Sequence, residues 1–503
     1  MMVAQLLLLP LLLLQAGSAP PAAGVQLSDV LVGAHYFAGW AKVCPPGSLP
    51  GGKCYSHFHG FSPTGAPTSD WFASDYPERT PLLGMLTTSE ATVTKEIVTA
   101  DAALDFFDIL YYDGGADCGY NADPNLRWCL DSTLAFMLNN TAIWQNTTRL
   151  HFFISYSNDV DRNKPNVFVG PAGDAKWSAL VKTWADAMVH PRYLKINQRP
   201  VFKILIPEIF IAECGDNATL ATERLGELRA TARSRGLSDP LIGGGWENPS
   251  VAAGDPKTAR PHPGGYMLYN KTKIGCTDCD IGTASSVSSI VECQAKCNQT
   301  VGCDAIVISD AAGAPKSCQL KSKDAPGTGD LLHSTYVRVA GQVEYEWTGS
   351  YNAAPPVCPD EPNWACQKYV NSWMPNRTAA GAEVFPYKEC GDYQGAARTN
   401  HSHDRVPYLA NVIAGFNPRP WEEHSPSFAF PTEAEWEAVL TQVKAQCEDP
   451  ANKFGFPDAS KPNSYQPAFN IYAWNEYGEG GITAPTQGDG FMKVKTISRV
   501  FGR

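Results

Sequence analysis

The stretch AFNIYAWNEYGEGG, residues 468–481, is an apolar run that stops in a turn carrying two acids. Its first half is short, aromatic and branched, which reads as a buried strand, and Tyr-Gly-Glu-Gly-Gly is turn chemistry. Glu476 and Glu479 stand three residues apart among Trp474, Asn475 and Tyr477. Acids are ordinary at strand ends, so the stretch alone is compatible with a plain turn. Its meaning depends on what precedes it.

Similar apolar runs occur seven more times, at 29–37, 106–112, 150–156, 199–206, 240–246, 343–351 and 407–416. Helical periodicity lies between most of them, at 89–105, 131–140, 175–190, 218–235 and 432–447, with a last stretch at 489–501. The clearest is PTEAEWEAVLTQVKAQ, where Thr432 is placed to cap and Glu435 to complete a capping box. Eight strands separated by helices predict an α/β chain folded as a (β/α)8 barrel of the TIM type. Functional groups in such barrels collect on the loops that follow the strands, so Glu476 and Glu479 are expected at the barrel mouth.

One interval breaks the rhythm. Between the fifth and sixth runs, 265–341 holds Cys276, Cys279, Cys293, Cys297, Cys303 and Cys318, which reads as a small disulfide-stapled insert. The barrel then comprises 27–262 and 342–503. Other cysteines permit local loops, Cys44–Cys54, Cys118–Cys129 and Cys358–Cys366, while Cys214, Cys390 and Cys447 have no assigned partner. Fifteen cysteines, an odd number, leave at least one thiol free or intermolecular.

The chain begins with MMVAQLLLLPLLLLQAGSAPPAAG, an apolar run too short to span a bilayer and followed by small residues, so 1–23 reads as a secretory signal. Sequons at Asn139, Asn146, Asn217, Asn270, Asn298, Asn376 and Asn400 agree with a glycosylated, secreted or secretory-lumen protein. No later stretch reads as a transmembrane helix. A net charge of −11 argues against a nucleic-acid partner, because phosphate binding needs a basic surface. Neither a phosphate-binding loop nor a serine-hydrolase elbow is present, and no metal or organic cofactor is expected.

Two resemblances sharpen this. The cysteine module, SSIVECQAKCNQTVGCDAIVI followed by SCQLK, resembles the PAN/apple fold. That resemblance implies Cys293–Cys318 and Cys297–Cys303 bonds, leaving Cys276–Cys279 as a pair. Such a module is either an accessory that holds a protein or glycan partner, or a stapled spacer.

The second concerns the barrel. Trp474-Asn475-Glu476-Tyr477-Gly478-Glu479-Gly480 resembles the end of the last strand in glycoside hydrolase family 99 and the related WbsX-type proteins. It is also similar to the Trp-Asn-Asp-Tyr-Gly-Glu of family 71. GAHYFAGW, YPERTPLLGML, HPRYLKINQRPVFKI and VIAGFNPRPW extend the likeness to WbsX-type chains over most of 28–262 and 342–503. The acid common on the second strand of those chains aligns with Leu110, and Asp113 follows shortly after.

Cleaving a glycosidic bond takes one protonated carboxyl to assist the leaving group and one carboxylate to attack or to stabilise charge. The resemblance therefore implies Glu476 and Glu479 as the catalytic pair, on an α-linked mannan- or glucan-type chain, free or on a glycoprotein. Carry-over from family 99 makes Glu479 the general acid/base and Glu476 the base for the sugar 2-hydroxyl. Family 71 implies inversion instead. Tyr36, Trp40, Tyr112, Trp474 and Tyr477 are expected as stacking faces, and Asp113, Arg419 and Asn475 as hydroxyl ligands. Two other classes stay open: transglycosylation at the same site, and a silent glycan-binding matrix or adhesion protein.

Overall fold

In the computed structural model the described residues are 29–38, 40, 76–84, 89–112, 132–158, 166–215, 217–244, 260–262, 266–269, 280–300, 303, 305–309, 316–321, 333–338, 345–349, 384–401, 407–417, 427–461 and 463–503. The expected signal, Asp113, Arg419, three cystine pairs (Cys44–Cys54, Cys118–Cys129, Cys358–Cys366), Cys276, Cys279, Asn270 and Asn376 fall outside them.

Eight parallel strands form the core: β1 (Leu31–Tyr36), β2 (Phe106–Tyr111), β3 (His151–Tyr156), β4 (Arg199–Ile204), β5 (Leu241–Gly244), β6 (Trp347–Gly349), β7 (Tyr408–Ile413) and β8 (Tyr465–Tyr472). They pair in chain order, and β1 closes on β8 with Gly33 opposite Asn470. The chain is thus a (β/α)8 barrel, and closure leaves no strand edge in the ring. Around it run α1 (Glu90–Asp101), α2 (Ser132–Asn139), α3 (Gly170–Met188), α4 (Pro207–Glu213), α5 (Ala218–Ser234), α6 (Tyr387–His401), α7 (Glu433–Glu448) and α8 (Met492–Phe501). The capping box of α7 forms, with the Thr432 Oγ1 accepting from Glu435 N and the Glu435 carboxylate accepting from Thr432 N.

Barrel strands present alternate residues inward. The floor is aromatic: Phe106, Phe153, Trp347 and Phe456 meet with centroids 5.0–6.2 Å apart, edge to face except for the tilted Phe106–Phe153 pair. Gly243 is required there, since a Cβ would stand 2.1 Å from the Trp347 indole. Next comes a polar layer. His35, Asp108, Ser155, Lys203 and Asn470 come from β1, β2, β3, β4 and β8 and can meet only inside the barrel. Above it lies an apolar rim that includes Phe37, Leu110, Leu205, Tyr477 and Ile482.

Two helices escaped the periodicity argument, α4 and α6. The buried face of α6 carries Tyr387, Cys390, Gln394 and Arg398, at helical spacing but largely polar. Its task explains the composition. Among the described residues β6 pairs β7 at Tyr408 and Leu409. Farther along β7, Gln394 accepts from Ile413 N (2.9 Å), the Tyr387 hydroxyl donates to Ile413 O (2.6 Å) and Arg398 donates to Asn411 O (3.1 Å). Side chains of α6 thus satisfy main-chain groups at the far end of β7.

A second sheet of six strands is not hydrogen-bonded to the barrel sheet, and its strand order is 260–262, 266–269, 333–338, 305–309, 316–321, 280–287. It begins before residue 265, so 260–262 goes with this sheet and not with the barrel. The helix Ile290–Gln299, capped by Ser289, packs on it. Cys293 is bonded to Cys318 and Cys297 to Cys303, with Cα atoms 5.8 and 5.4 Å apart. Cys214, Cys390 and Cys447 are buried thiols. Among the described residues no helix is long and apolar enough to cross a membrane.

Candidate active site

Beyond β8 the chain turns back on itself. Asn475 and Glu476 pair antiparallel with Ile482 and Gly481, so the acid-rich turn is a β-hairpin standing over the barrel mouth. Gly480 closes the turn at φ +79°, a region that L side chains avoid. Glu476 and Glu479 are thereby carried on one rigid loop.

Their surroundings differ. Glu476 is buried (4% exposed), and its Oε1 has no hydrogen-bond partner among the described residues. Burial, then the charge of Glu479, push its carboxyl well above the usual range, while the backbone N–H groups of Gly478 and Glu479 pull the other way. Glu479 is half-buried and accepts a hydrogen bond from the Tyr472 hydroxyl, at the inner end of β8.

The other expected site residues are placed as follows. Asn475 docks the hairpin to the end of β1: its Oδ1 accepts from Phe37 N (2.8 Å) and its Nδ2 donates to Phe37 O (2.9 Å). Trp40 is fully buried, donates Nε1 to Asn475 O (2.6 Å) and packs on Tyr477 at 5.4 Å. Tyr36 and Trp474 lie on the outer face of the strands against Phe107, with centroids 4.9 and 5.5 Å away. There the Tyr36 hydroxyl donates to Glu96 of α1 (2.5 Å). Tyr36, Trp40 and Trp474, expected as stacking faces, have 0% exposure. Tyr477 is likewise buried, whereas Tyr112 is half-buried at the rim, edge-on to Phe37. Asn139, Asn146 and Asn217 are exposed, and Asn217 also caps α5.

Two groups were not anticipated. The first is the acid of the second strand. Leu110 belongs to the apolar rim, while Asp108, two residues earlier on the same face, is the buried carboxylate. It receives His35 Nδ1 (3.0 Å), Asn470 Nδ2 (2.9 Å), Lys203 Nζ (3.5 Å) and the Ser155 hydroxyl. Asn470 Nδ2 also lies 3.1 Å from His35 Nε2. Burial opposes the charge of Asp108, but the Lys203 and His35 interactions outweigh it and hold the carboxyl down at about 2. Burial lowers Lys203. Its signal was hidden because FFDILYY reads as a plain apolar strand.

The second is Arg79, from the YPERTPLLGML segment. It is fully buried and donates Nη1 to Tyr477 O (2.9 Å) and Gly478 O (3.3 Å), and Nη2 to Asn417 O (3.0 Å). Its segment runs beside the chain that leaves the hairpin, with Leu82 N on Pro485 O and Gln487 N on Thr80 O, both at 2.9 Å.

No family model and no curated protein matches the chain. Among solved structures, it is similar to one described as a glycoside hydrolase-like protein, with a TM-score of 0.46, 11% identity, and 96% of this chain and 97% of that one covered. It is also similar to the GH99 endo-alpha-mannosidase from Bacteroides thetaiotaomicron, with a TM-score of 0.40, 11% identity, and 95% and 100% covered. Superpositions this loose assign no activity.

Proposed function

We propose that the protein is a secreted glycoside hydrolase that cleaves an α-linked, mannan- or glucan-type glycan with Glu476 and Glu479 as its catalytic pair. The observation that carries this reading is the pairing of two carboxyls in unlike environments, one buried and one half-buried, on one hairpin at the barrel mouth. Glycoside cleavage needs that asymmetry, one carboxyl holding its proton and the other ionised.

The environments divide the roles. Glu476, buried and raised, is the group that keeps a proton and gives it to the departing glycosidic oxygen. Glu479, more open and receiving the Tyr472 hydroxyl, is the carboxylate that acts at the anomeric carbon, on a water or directly. This assignment is the reverse of the family 99 carry-over. A separation of roughly 5–5.5 Å in the loaded site goes with direct attack and about 6.5–9.5 Å with a water between. Asp108 lies one layer deeper, saturated by donors, and supports the barrel rather than touching the sugar.

The test is hydrolysis of a panel of α-linked mannans, glucans and glycoprotein glycans by the secreted chain, with proton NMR of the first anomer released. Glycan bound but never cut, with Glu476→Gln and Glu479→Gln binding equally well, would replace this reading with a silent glycan-binding barrel.

A further inference from the structure

The hairpin that carries the two glutamates is held by two buried cations, one on either side. Arg79 is 0% exposed and grips the carbonyls of Tyr477 and Gly478, the two residues between the acids. Lys493, in the first turn of α8, is 2% exposed and donates to Ile482 O (2.7 Å) on the returning strand. Phe430 lies between them, with the guanidinium 5.6 Å and the ammonium 5.1 Å from its ring centroid. Glu78 approaches Arg79 at 3.7 Å and is 41% exposed, while Asp489 sits 2.6 Å from Lys493.

Neutral donors would suffice to fix three carbonyls. Burying two cations is costly unless their charge is used, since each loses its hydration. Here Asp489 matches the Lys493 charge while the same ammonium reaches Ile482 O, and the Arg79 guanidinium turns two of its donors to carbonyls of a loop whose only acids are Glu476 and Glu479. We propose that Arg79 and Lys493 form a two-cation brace, joined through Phe430, that fixes the hairpin 475–482 and with it the separation and orientation of the Glu476 and Glu479 carboxyls. Both are positioning residues, and the brace ties the site to the segment before α1 and to the last helix of the barrel. The catalytic consequence rests on reading the two glutamates as the reacting pair; the mechanical one does not.

The experiment uses the full secreted chain with Arg79→Gln, Arg79→Lys and Lys493→Met. Hydrogen–deuterium exchange is read on the peptide 473–484, and kcat, KM and their pH dependence on whichever panel glycan the wild type cleaves. In Arg79→Gln, exchange in 473–484 rises by about tenfold while peptides of β2–β4 keep their rates. Its kcat falls by about 30-fold or more with KM within about threefold, as expected when catalytic groups are displaced but binding is kept. Loss of the cation also moves the acid limb of the kcat profile to higher pH, and Arg79→Lys restores its position, which a change of packing alone does not do. Unchanged exchange in 473–484 in both Arg79→Gln and Lys493→Met overturns the brace. So does local loosening with kcat and pH profile untouched. If the wild type cleaves no glycan, the exchange result still decides the brace, and only the glycosidase reading falls.

Discussion

Tyr472, the last residue of β8, donates its hydroxyl to the carboxylate of Glu479, seven residues farther along the chain. The bond ties the inner wall of the barrel to the tip of the hairpin, and so gives one of the two acids a fixed acceptor role.

Tyr472→Phe removes that donor and keeps the ring. Losing a hydrogen bond to the charged form favours the protonated one, so the acid limb of the kcat profile moves to higher pH, with an activity loss of about tenfold to a hundredfold at neutral pH. Initial rates across pH on a cleaved α-glycan check this; an unshifted profile would remove Tyr472 from the mechanism.

Glu96 links pH to stability. Burial, partly offset by Tyr36 and Trp474, raises its carboxyl from 4.5 to about 7. Between those values the native state holds a proton that the unfolded chain has released, so stability present below about pH 4.5 is lost as pH rises to about 7. The loss is about 3 kcal/mol by linkage. Glu96→Gln keeps the hydrogen bond to Tyr36 and cannot ionise, so its unfolding midpoint in urea falls less than that of the wild type between pH 4.5 and 8. Parallel curves for the two would contradict the assignment.

Asp108 has the opposite sign. Its carboxyl is held at about 2 against an ordinary 3.8, so its contribution, about 2 kcal/mol, is present above pH 3.8 and lost as pH falls towards 2. Asp108→Asn strands Lys203 in the barrel interior and costs about 3–5 kcal/mol, whereas the double change Asp108→Leu with Lys203→Met recovers much of it. Thermal melts of the two variants separate these outcomes; equal losses would show that the pair is not the unit.

Arg398→Met removes the donor to Asn411 O on β7 together with those to Gln442 and Gln446, and the buried carbonyl alone accounts for a cost of about 1–3 kcal/mol. Exchange should quicken in 408–413 before it does so in β2 or β3. A variant as stable as the wild type would mean that these β7 carbonyls and N–H groups do not depend on α6.

The barrel was legible because its determinants are local. Each of the eight apolar runs is long enough to show itself, and each holds a strand of the ring. α6 was not legible because its buried face satisfies backbone groups instead of filling a core, and Gln394 and Arg398 read as surface. The site divides in the same way. Glu476 and Glu479 are neighbours in sequence, and their turn announced them. Arg79 meets Tyr477 across 398 residues, and no local pattern encodes that contact. Asp108 was passed over for Leu110 because an acid inside a strand otherwise apolar carries no periodic signal. Trp474 and Tyr36 have the composition of a sugar platform, but Tyr36 alternates onto the face that α1 covers, and Trp474, beyond the end of β8, packs on Phe107 there.

The central claim is that Glu476 and Glu479 are a catalytic pair. The measurement that tests it most directly is product release from the α-linked glycan panel by the wild type, Glu476→Gln and Glu479→Gln, each checked for intact folding by its melting curve. The account predicts that the wild type cleaves one α-linked class and that each variant, folded, loses about 10³-fold or more in kcat, since neither acid nor carboxylate function survives the amide. A wild type that cleaves while either variant keeps its rate would contradict it.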